Sequence, residues 1–247
     1  MNDTIGWLAA DWPAPAHIKA GITLRSGGVS DAPFDSFNLG DHVGDDSAAV
    51  AENRRRLVDG LSLPAEPAWL HQVHGSAVAS ADGAVSGDAD ASVGTTQEAV
   101  CAVLTADCLP VLLCDLEGTC WAAAHAGWRS LAAGVLEATV EAMPARPADI
   151  MAWLGPAIGP CHFEVGAEVR AAFVDANADD FSSFTEGARP GKFMVDLQAL
   201  ARARLSRSGV KNVHGAGLCT VDDKARLYSY RRDSRTGRMA ALVWSTR

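Results

Sequence analysis

From Ala99 to Ala126 the chain is apolar almost without interruption, AVCAVLTADCLPVLLCDLEGTCWAAAHA, and this stretch limits the fold more than any other. Residues 99–106 and 110–114 are short β-prone runs, Asp115 to Gly118 is a turn sequence, and TCWAAAH resumes as a strand. Three polar side chains break the pattern at the strand ends: Asp107, Cys108 and His125. Burying an ionised carboxylate or a lone imidazole without partners costs several kcal/mol, so groups placed this way have partners. They either tie a strand end or form a site.

The remaining segments mix helix and strand without a regular βαβ alternation. Helical patterns run over 45–61, begun by Asp46 or Ser47, and over 130–143, with Ser130 as N-cap and Pro144 beyond the end. Two more are EVGAEVRAAFVDAN and DLQALARARLSRSG, the last capped by Asp196 and closed by Gly209. Strand patterns are AGITLR, AWLHQVH, IMAWLG, NVHGAGL, LYSYR and RMAALVW. The expected class is α+β, with helices covering a largely antiparallel or mixed sheet. At 247 residues and 48% hydrophobic content the chain can bury a large core, and 1–247 is taken as a single domain.

A net charge of −9 argues against nucleic acid or an anionic membrane as partner, while leaving room for a local basic phosphate site. The N-terminus MNDTIGWLAADWPAPAH lacks a basic region followed by an apolar run, and no window approaches about 18 uninterrupted apolar residues. Cytoplasmic location is the default expectation. The six cysteines form no CxxC pair, and several lie in apolar strands, which suggests buried reduced thiols and excludes a zinc ribbon.

What remains open is one cysteine with distant histidines. In HQVHG, His71 and His74 point to opposite sides of a regular strand, and His74, followed by Gly75, is the better candidate for a shared site. One thiolate and two imidazoles suit zinc, and three protein ligands leave the fourth position free for chemistry. A metal-free Cys108 and His125 pair is the alternative from the residues alone. A structural zinc is less apt, since such sites have four protein ligands.

Eight ordered motifs, TLRSGGVS, FNLGDHVGDD, HQVHG, TADCLPVLL, AAAHAGWRS, AWLGPAIGPCHFEVG, DLQALARARL and YSYRRDSRTGRMA, resemble the YfiH/PgeF family across nearly the whole chain. This family also carries the names laccase-domain and multicopper polyphenol oxidase. The resemblance implies a metal held by His74, Cys108 and His125, zinc with copper as the alternative. It also implies a β-sandwich flanked by helices, like the cytotoxic-necrotizing-factor deamidase domain. Two departures stand out: Ser130 occupies a position that is glycine in the family, and His71 replaces a frequent Glu and is a candidate alternative ligand.

The family is associated with zinc-dependent phosphorolysis of adenosine, inosine and S-methyl-5'-thioadenosine, with adenosine deamination as a side activity. It is also associated with peptidoglycan editing, in which a wrongly attached amino acid is removed from a UDP-MurNAc precursor. The laccase name fits this chain poorly: a blue-copper site with a trinuclear cluster uses roughly ten histidines, many as His-x-His. This chain has seven and no such pair. For the zinc chemistry, Asp107 is the candidate proton carrier. Arg25 with the following Ser-Gly-Gly, and Arg129 at a helix start, are candidate phosphate donors. The Arg and Tyr residues of YSYRRDSRTGRMA, Arg231 and Arg232 among them, are candidate substrate contacts. The expected partners are a small nucleoside and phosphate, or the cell-wall precursor, and the sequence carries no signal for an oligomeric state.

Overall fold

A computed structural model describes residues 5–215 and 217–247. Met1 to Thr4, part of the segment examined for a leader, and Ala216, within NVHGAGL, lie outside the described residues. The strands are β1 (Trp7–Ala9), β2 (Ile18–Thr23), β3 (Val78–Ser80), β4 (Ala91–Gly94), β5 (Val100–Thr105), β6 (Leu109–Asp115), β7 (Trp121–Ala126), β8 (Ile150–Leu154), β9 (Glu164–Gly166), β10 (Phe184–Glu186), β11 (Lys192–Val195), β12 (Asn212–His214) and β13 (Met239–Ser245). The helices are α1 (Ser47–Leu61), α2 (Trp128–Ala132), α3 (Val135–Ala142), α4 (Ala167–Val174), α5 (Leu197–Arg207) and α6 (Tyr230–Asp233).

Two sheets face each other. One has the order β1-β2-β13-β5, the other β12-β8-β6-β7-β4-β3, and β10-β11-β9 forms a small third sheet. Pairing is antiparallel except for β12 with β8 and β3 with β4, so the sheet is mixed, as its patterning suggests. The period-2 alternation of strand side chains explains the layers. On β5, Cys101 and Val103 turn into the space between the sheets with Leu112 and Cys114 of β6, while Val100, Ala102 and Leu104 face outward toward Leu57 of α1. On β6, Leu109, Val111 and Leu113 face the opposite way, onto Leu136 of α3 and Leu200 and Leu205 of α5. Because both faces of β5, β6 and β7 are covered, all their residues are buried. The result is an α+β, helix-flanked β-sandwich, the arrangement that the family resemblance implies.

Four local expectations differ from the structure. AWLHQVH is not a strand but joins the sheets only through isolated bridges at Ala68 and His71. Its backbone groups are captured by side chains instead: Gln72 pairs with both backbone groups of Leu104, and a carboxylate takes the N–H groups of residues 73–75. LYSYR turns into α6, because the Ser229 hydroxyl accepts from the Arg232 N–H and caps a helix there. The 130–143 helix is two helices, broken at Gly134 with φ +91°. Gly127, not Ser130, precedes the first of them, and Ser130 lies buried inside it. Finally, Glu164–Gly166 pairs with β11 before α4 begins, so the Gly there ends a strand as well as starting a helix.

Candidate metal centre

The site grows from the ends of three strands. Antiparallel register places Ala91 opposite Ala124 and Leu109 opposite Ala126. Asp90, Cys108 and His125, which border or end these strands, therefore meet at one end of the six-stranded sheet. His74 arrives from the neighbouring loop at φ +61°, a left-handed conformation that ends any strand pattern at this residue. The ligand atoms of His74, Cys108 and His125 all lie within 4.8 Å of one another, with His74 Nε2 3.9 Å from Cys108 Sγ. The two imidazole rings sit at 77° with centroids 4.8 Å apart. Tetrahedral zinc, with bonds of about 2.3 Å to sulfur and about 2.1 Å to nitrogen, sets sulfur and nitrogen about 3.6 Å apart. The donor set and its spacing fit zinc, with only a small closure needed.

Asp90, absent from the sequence-based candidates, organises this cluster. Its fully buried carboxylate accepts from the backbone N–H groups of Val73 (3.2 Å), His74 (3.0 Å) and Gly75 (2.6 Å) and from His125 Nδ1 (2.8 Å). The His125 N–H also donates to the Asp90 carbonyl at 2.7 Å. The Nδ1 contact assigns the proton to that nitrogen and leaves Nε2 free as a ligand atom. One carboxylate thus shapes the His74 loop and orients His125. Burial opposes its ionisation, but these donors outweigh burial and hold its pKa below the usual value.

Burial raises the Cys108 thiol's pKa, yet the neighbouring His125 and His74 imidazoles more than offset it and hold the thiol down to about 6. Burial likewise lowers His125, and the thiolate and Asp90 together raise it to about 9. Between those values the metal-free pair is a thiolate and an imidazolium. The thiolate form lies above the lowered pKa, so in metal-free protein alkylation of Cys108 by iodoacetamide is expected to rise with pH and level off above about 7. Peptide mapping checks this. A rate still climbing steeply through pH 8 contradicts the imidazole effect. Cys101, Cys114 and Cys120, buried and pushed up to about 12, are expected to remain unlabelled.

The centre forms part of the wall of a cavity of about 410 Å³, which also includes Asp107, Trp128, Phe163, Tyr230, Arg231 and Arg238. Asp107 adopts φ +95°. Its Oδ1 accepts from the Thr220 hydroxyl at 2.6 Å and its Oδ2 from the Arg231 N–H at 2.6 Å. Both oxygens are therefore engaged in fixing the chain that carries Arg231. The Arg231 guanidinium reaches back to the His162 carbonyl at 2.8 Å. Arg238, a second cavity cation within the YSYRRDSRTGRMA motif, was not singled out from the sequence. Burial lowers its pKa against the pull of the Cys108 thiolate and the Asp107 carboxylate. Gly127 is needed for space, since a Cβ there would sit 2.9 Å from Cys108 Sγ and 3.2 Å from His74 Cδ2.

Other sequence candidates lie elsewhere. Arg25 is outside the cavity wall; its guanidinium donates to the Asp35 and Lys224 carbonyls and pairs with the Asp35 carboxylate at 3.2 Å. The neighbouring Gly28 N–H is taken by Ser36 Oγ and the Val29 N–H by Asn53. Arg129 is exposed and stacks on Trp128 at 4.2 Å, again outside the cavity wall. Arg232 is spent on the Thr220, Val221 and Leu227 carbonyls and on Asp233. His71 turns to solvent and pairs with Asp88 at 2.7 Å, away from the metal donors.

Residues 19–246 match the sequence profile of a family described as multi-copper polyphenol oxidoreductase laccase. A purine nucleoside phosphorylase of Pseudomonas aeruginosa is 58% identical over 238 residues, 96% of this chain and 98% of that protein. The Escherichia coli K12 purine nucleoside phosphorylase YfiH is 49% identical, with 96% of this chain and 98% of that protein covered. A crystal structure of a Neisseria meningitidis protein, 50% identical, superposes with a TM-score of 0.92 over 97% of this chain and 99% of that one. YlmD of Geobacillus stearothermophilus, 32% identical, gives 0.88 over 98% and 97%. With the profile and these relatives spanning nearly the whole sequence, the chain belongs to the YfiH/PgeF family of laccase-domain proteins.

Proposed function

We propose that this protein is a zinc-dependent purine nucleoside phosphorylase acting on adenosine, inosine and S-methyl-5'-thioadenosine, with adenosine deamination as a side activity. The observation that carries this reading is a cavity combining a three-donor His-Cys-His centre, two arginines and aromatic walls. The names and high identity of the Pseudomonas and Escherichia relatives support it. His74, Cys108 and His125 would hold the zinc, which supplies a Lewis acid at the cavity wall when bound. Arg231 and Arg238 provide positive charge for a phosphate anion. Trp128, Phe163 and the half-exposed Tyr230 offer aromatic faces to a purine. Asp90 orients His125, and Asp107 positions Arg231 through its backbone N–H. Inosine incubated with and without phosphate tests the reading: it predicts ribose 1-phosphate and hypoxanthine only with phosphate. Base release independent of phosphate contradicts it.

Two alternatives are weighed by the same geometry. Among the described residues, potential metal clusters number two, each with three donors, which is far short of the ligands a multicopper laccase needs. The Cys108, His125 and Asp90 line also matches a metal-free nucleophile with its base and orienting carboxylate. The third donor, His74, lies 3.9 Å from Cys108 Sγ and completes a donor triad that a nucleophile and its base do not require, which favours a metal.

Asp107→Asn tests the positioning role. The amide keeps one accepting oxygen where the carboxylate has two on separate donors, so one contact loses its acceptor and the Arg231 segment is expected to loosen. The expected result is a phosphate KM raised roughly 10-fold or more, with a smaller loss in kcat, since a missing buried acceptor costs about 1–3 kcal/mol. A kcat loss of about 100-fold with unchanged phosphate KM would instead make Asp107 a proton carrier.

A further inference from the structure

We propose a second divalent-metal site, formed by His162, Cys219 and Asp222, whose donor set suits zinc. It is separate from the centre of the His74 loop and goes beyond the proposed nucleoside chemistry. His162 Nε2, Cys219 Sγ and an Asp222 carboxylate oxygen lie within 4.8 Å of one another. His162 Nε2 is 2.7 Å from Asp222 Oδ1. Imidazole nitrogen, thiolate sulfur and carboxylate oxygen are the three protein donor types that zinc accepts, and a solvent molecule completes four-coordination. The mixture excludes magnesium and calcium, which take oxygen ligands.

The donors are held by the backbone independently of any ion. Cys219 is fixed by a bridge to Ala157: the Ala157 N–H donates to the Leu218 carbonyl at 3.1 Å and the Thr220 N–H to the Ala157 carbonyl at 3.0 Å. The Gly159 N–H donates to Cys219 Sγ at 3.2 Å, the kind of outer contact that supports a metal-bound sulfur. The His162 N–H donates to the Gly159 carbonyl at 3.0 Å, which closes the turn that presents its ring. An ion can reach the cluster, because the side chains of His162 and Asp222 are 35% and 66% exposed.

The two segments that the metal would join are also the ones that frame Arg231. The His162 carbonyl accepts from its guanidinium, and Thr220, next to Cys219, donates to the Asp107 carboxylate that receives the Arg231 N–H. A bound zinc therefore cross-links the two supports of the cavity arginine.

The test is zinc stoichiometry after zinc loading and gel filtration, measured by elemental analysis on wild type, Cys108→Ala, Cys219→Ala, Asp222→Asn and the double cysteine variant. Expected are about two zinc ions per chain in wild type, one in either single cysteine variant and none in the double, with reduced retention in Asp222→Asn. Cobalt bound to Cys108→Ala is expected to show a thiolate charge-transfer band that disappears on adding Cys219→Ala. Asp222 is exposed, so its variant reports on the site even if Cys219→Ala melts early. Cys108→Ala that emerges without zinc, or Cys219→Ala and Asp222→Asn with wild-type stoichiometry, overturns the second site. Loss of zinc from Cys219→Ala alone, with Cys108→Ala unchanged from wild type, would instead count against the first centre.

Discussion

Asp90→Ala is expected to lower stability by on the order of 3–5 kcal/mol, the cost of removing one partner from a buried charge-assisted cluster. The carboxylate has no exposed surface and serves three backbone N–H groups and His125 Nδ1. Alanine removes the acceptor from all four donors; that of the buried His125 Nδ1 is lost outright, and each group that water cannot reach costs about 1–3 kcal/mol. For a chain of this length the loss corresponds to a melting temperature lower by roughly 10 °C. Zinc retention is expected to fall with it, because the His74 loop and the His125 ring lose their shared anchor. Thermal unfolding of metal-free protein separates the two effects. A melting temperature within about 2 °C of wild type would mean that the four contacts contribute little. The lowered pKa of Asp90 also sets a sign: its contribution is present above the unfolded carboxylate value of 3.8 and is lost as pH falls through the lower folded value.

Cys108→Ala is expected to abolish phosphorolysis, with a loss of more than about 100-fold, the upper end for groups that merely support a metal ligand. Removing the thiolate takes away the single negative charge among the three donors and the partner that raises His125. The same variant is expected to leave the fold intact, because Cys108 lies at a strand end beside the cavity and a smaller side chain meets no close contact. Circular dichroism and initial rates check both statements. Activity within a few-fold of wild type would remove Cys108 from the machinery.

The central strands could be read from the sequence because they are buried on both faces, so Val100 to Ala126 shows little but apolar residues. Cys108 and His125 stood out as polar interruptions of that pattern. Asp90 gave no such signal. Its partners are backbone N–H groups of residues 73–75, and a contact with backbone leaves no mark on the identity of the partner residues. The same carboxylate explains why AWLHQVH fails as a strand despite its β-prone composition. The choice between His71 and His74 rests on the following glycine, which lets the chain turn; the structure has the positive φ at His74 itself, which the sequence does not indicate. Arg25 and Arg129 were attractive for their Gly-rich and helix-start settings, but whether a guanidinium is free depends on carbonyls distant in sequence, such as those of Asp35 and Lys224. LYSYR misled for a related reason: its alternating aromatic pattern suits a strand, yet Tyr228 is buried as an anchor whose hydroxyl donates to the Phe34 carbonyl at 2.5 Å.

Removal and restoration of the metal test the central claim most directly. Protein stripped with a chelator and passed through gel filtration is assayed for phosphate-dependent release of ribose 1-phosphate from inosine, then again after addition of zinc or copper. The account predicts that activity disappears with the metal, returns with zinc and stays absent in Cys108→Ala under every condition. Full phosphorolysis by metal-free protein, or restoration of Cys108→Ala by zinc, would contradict it.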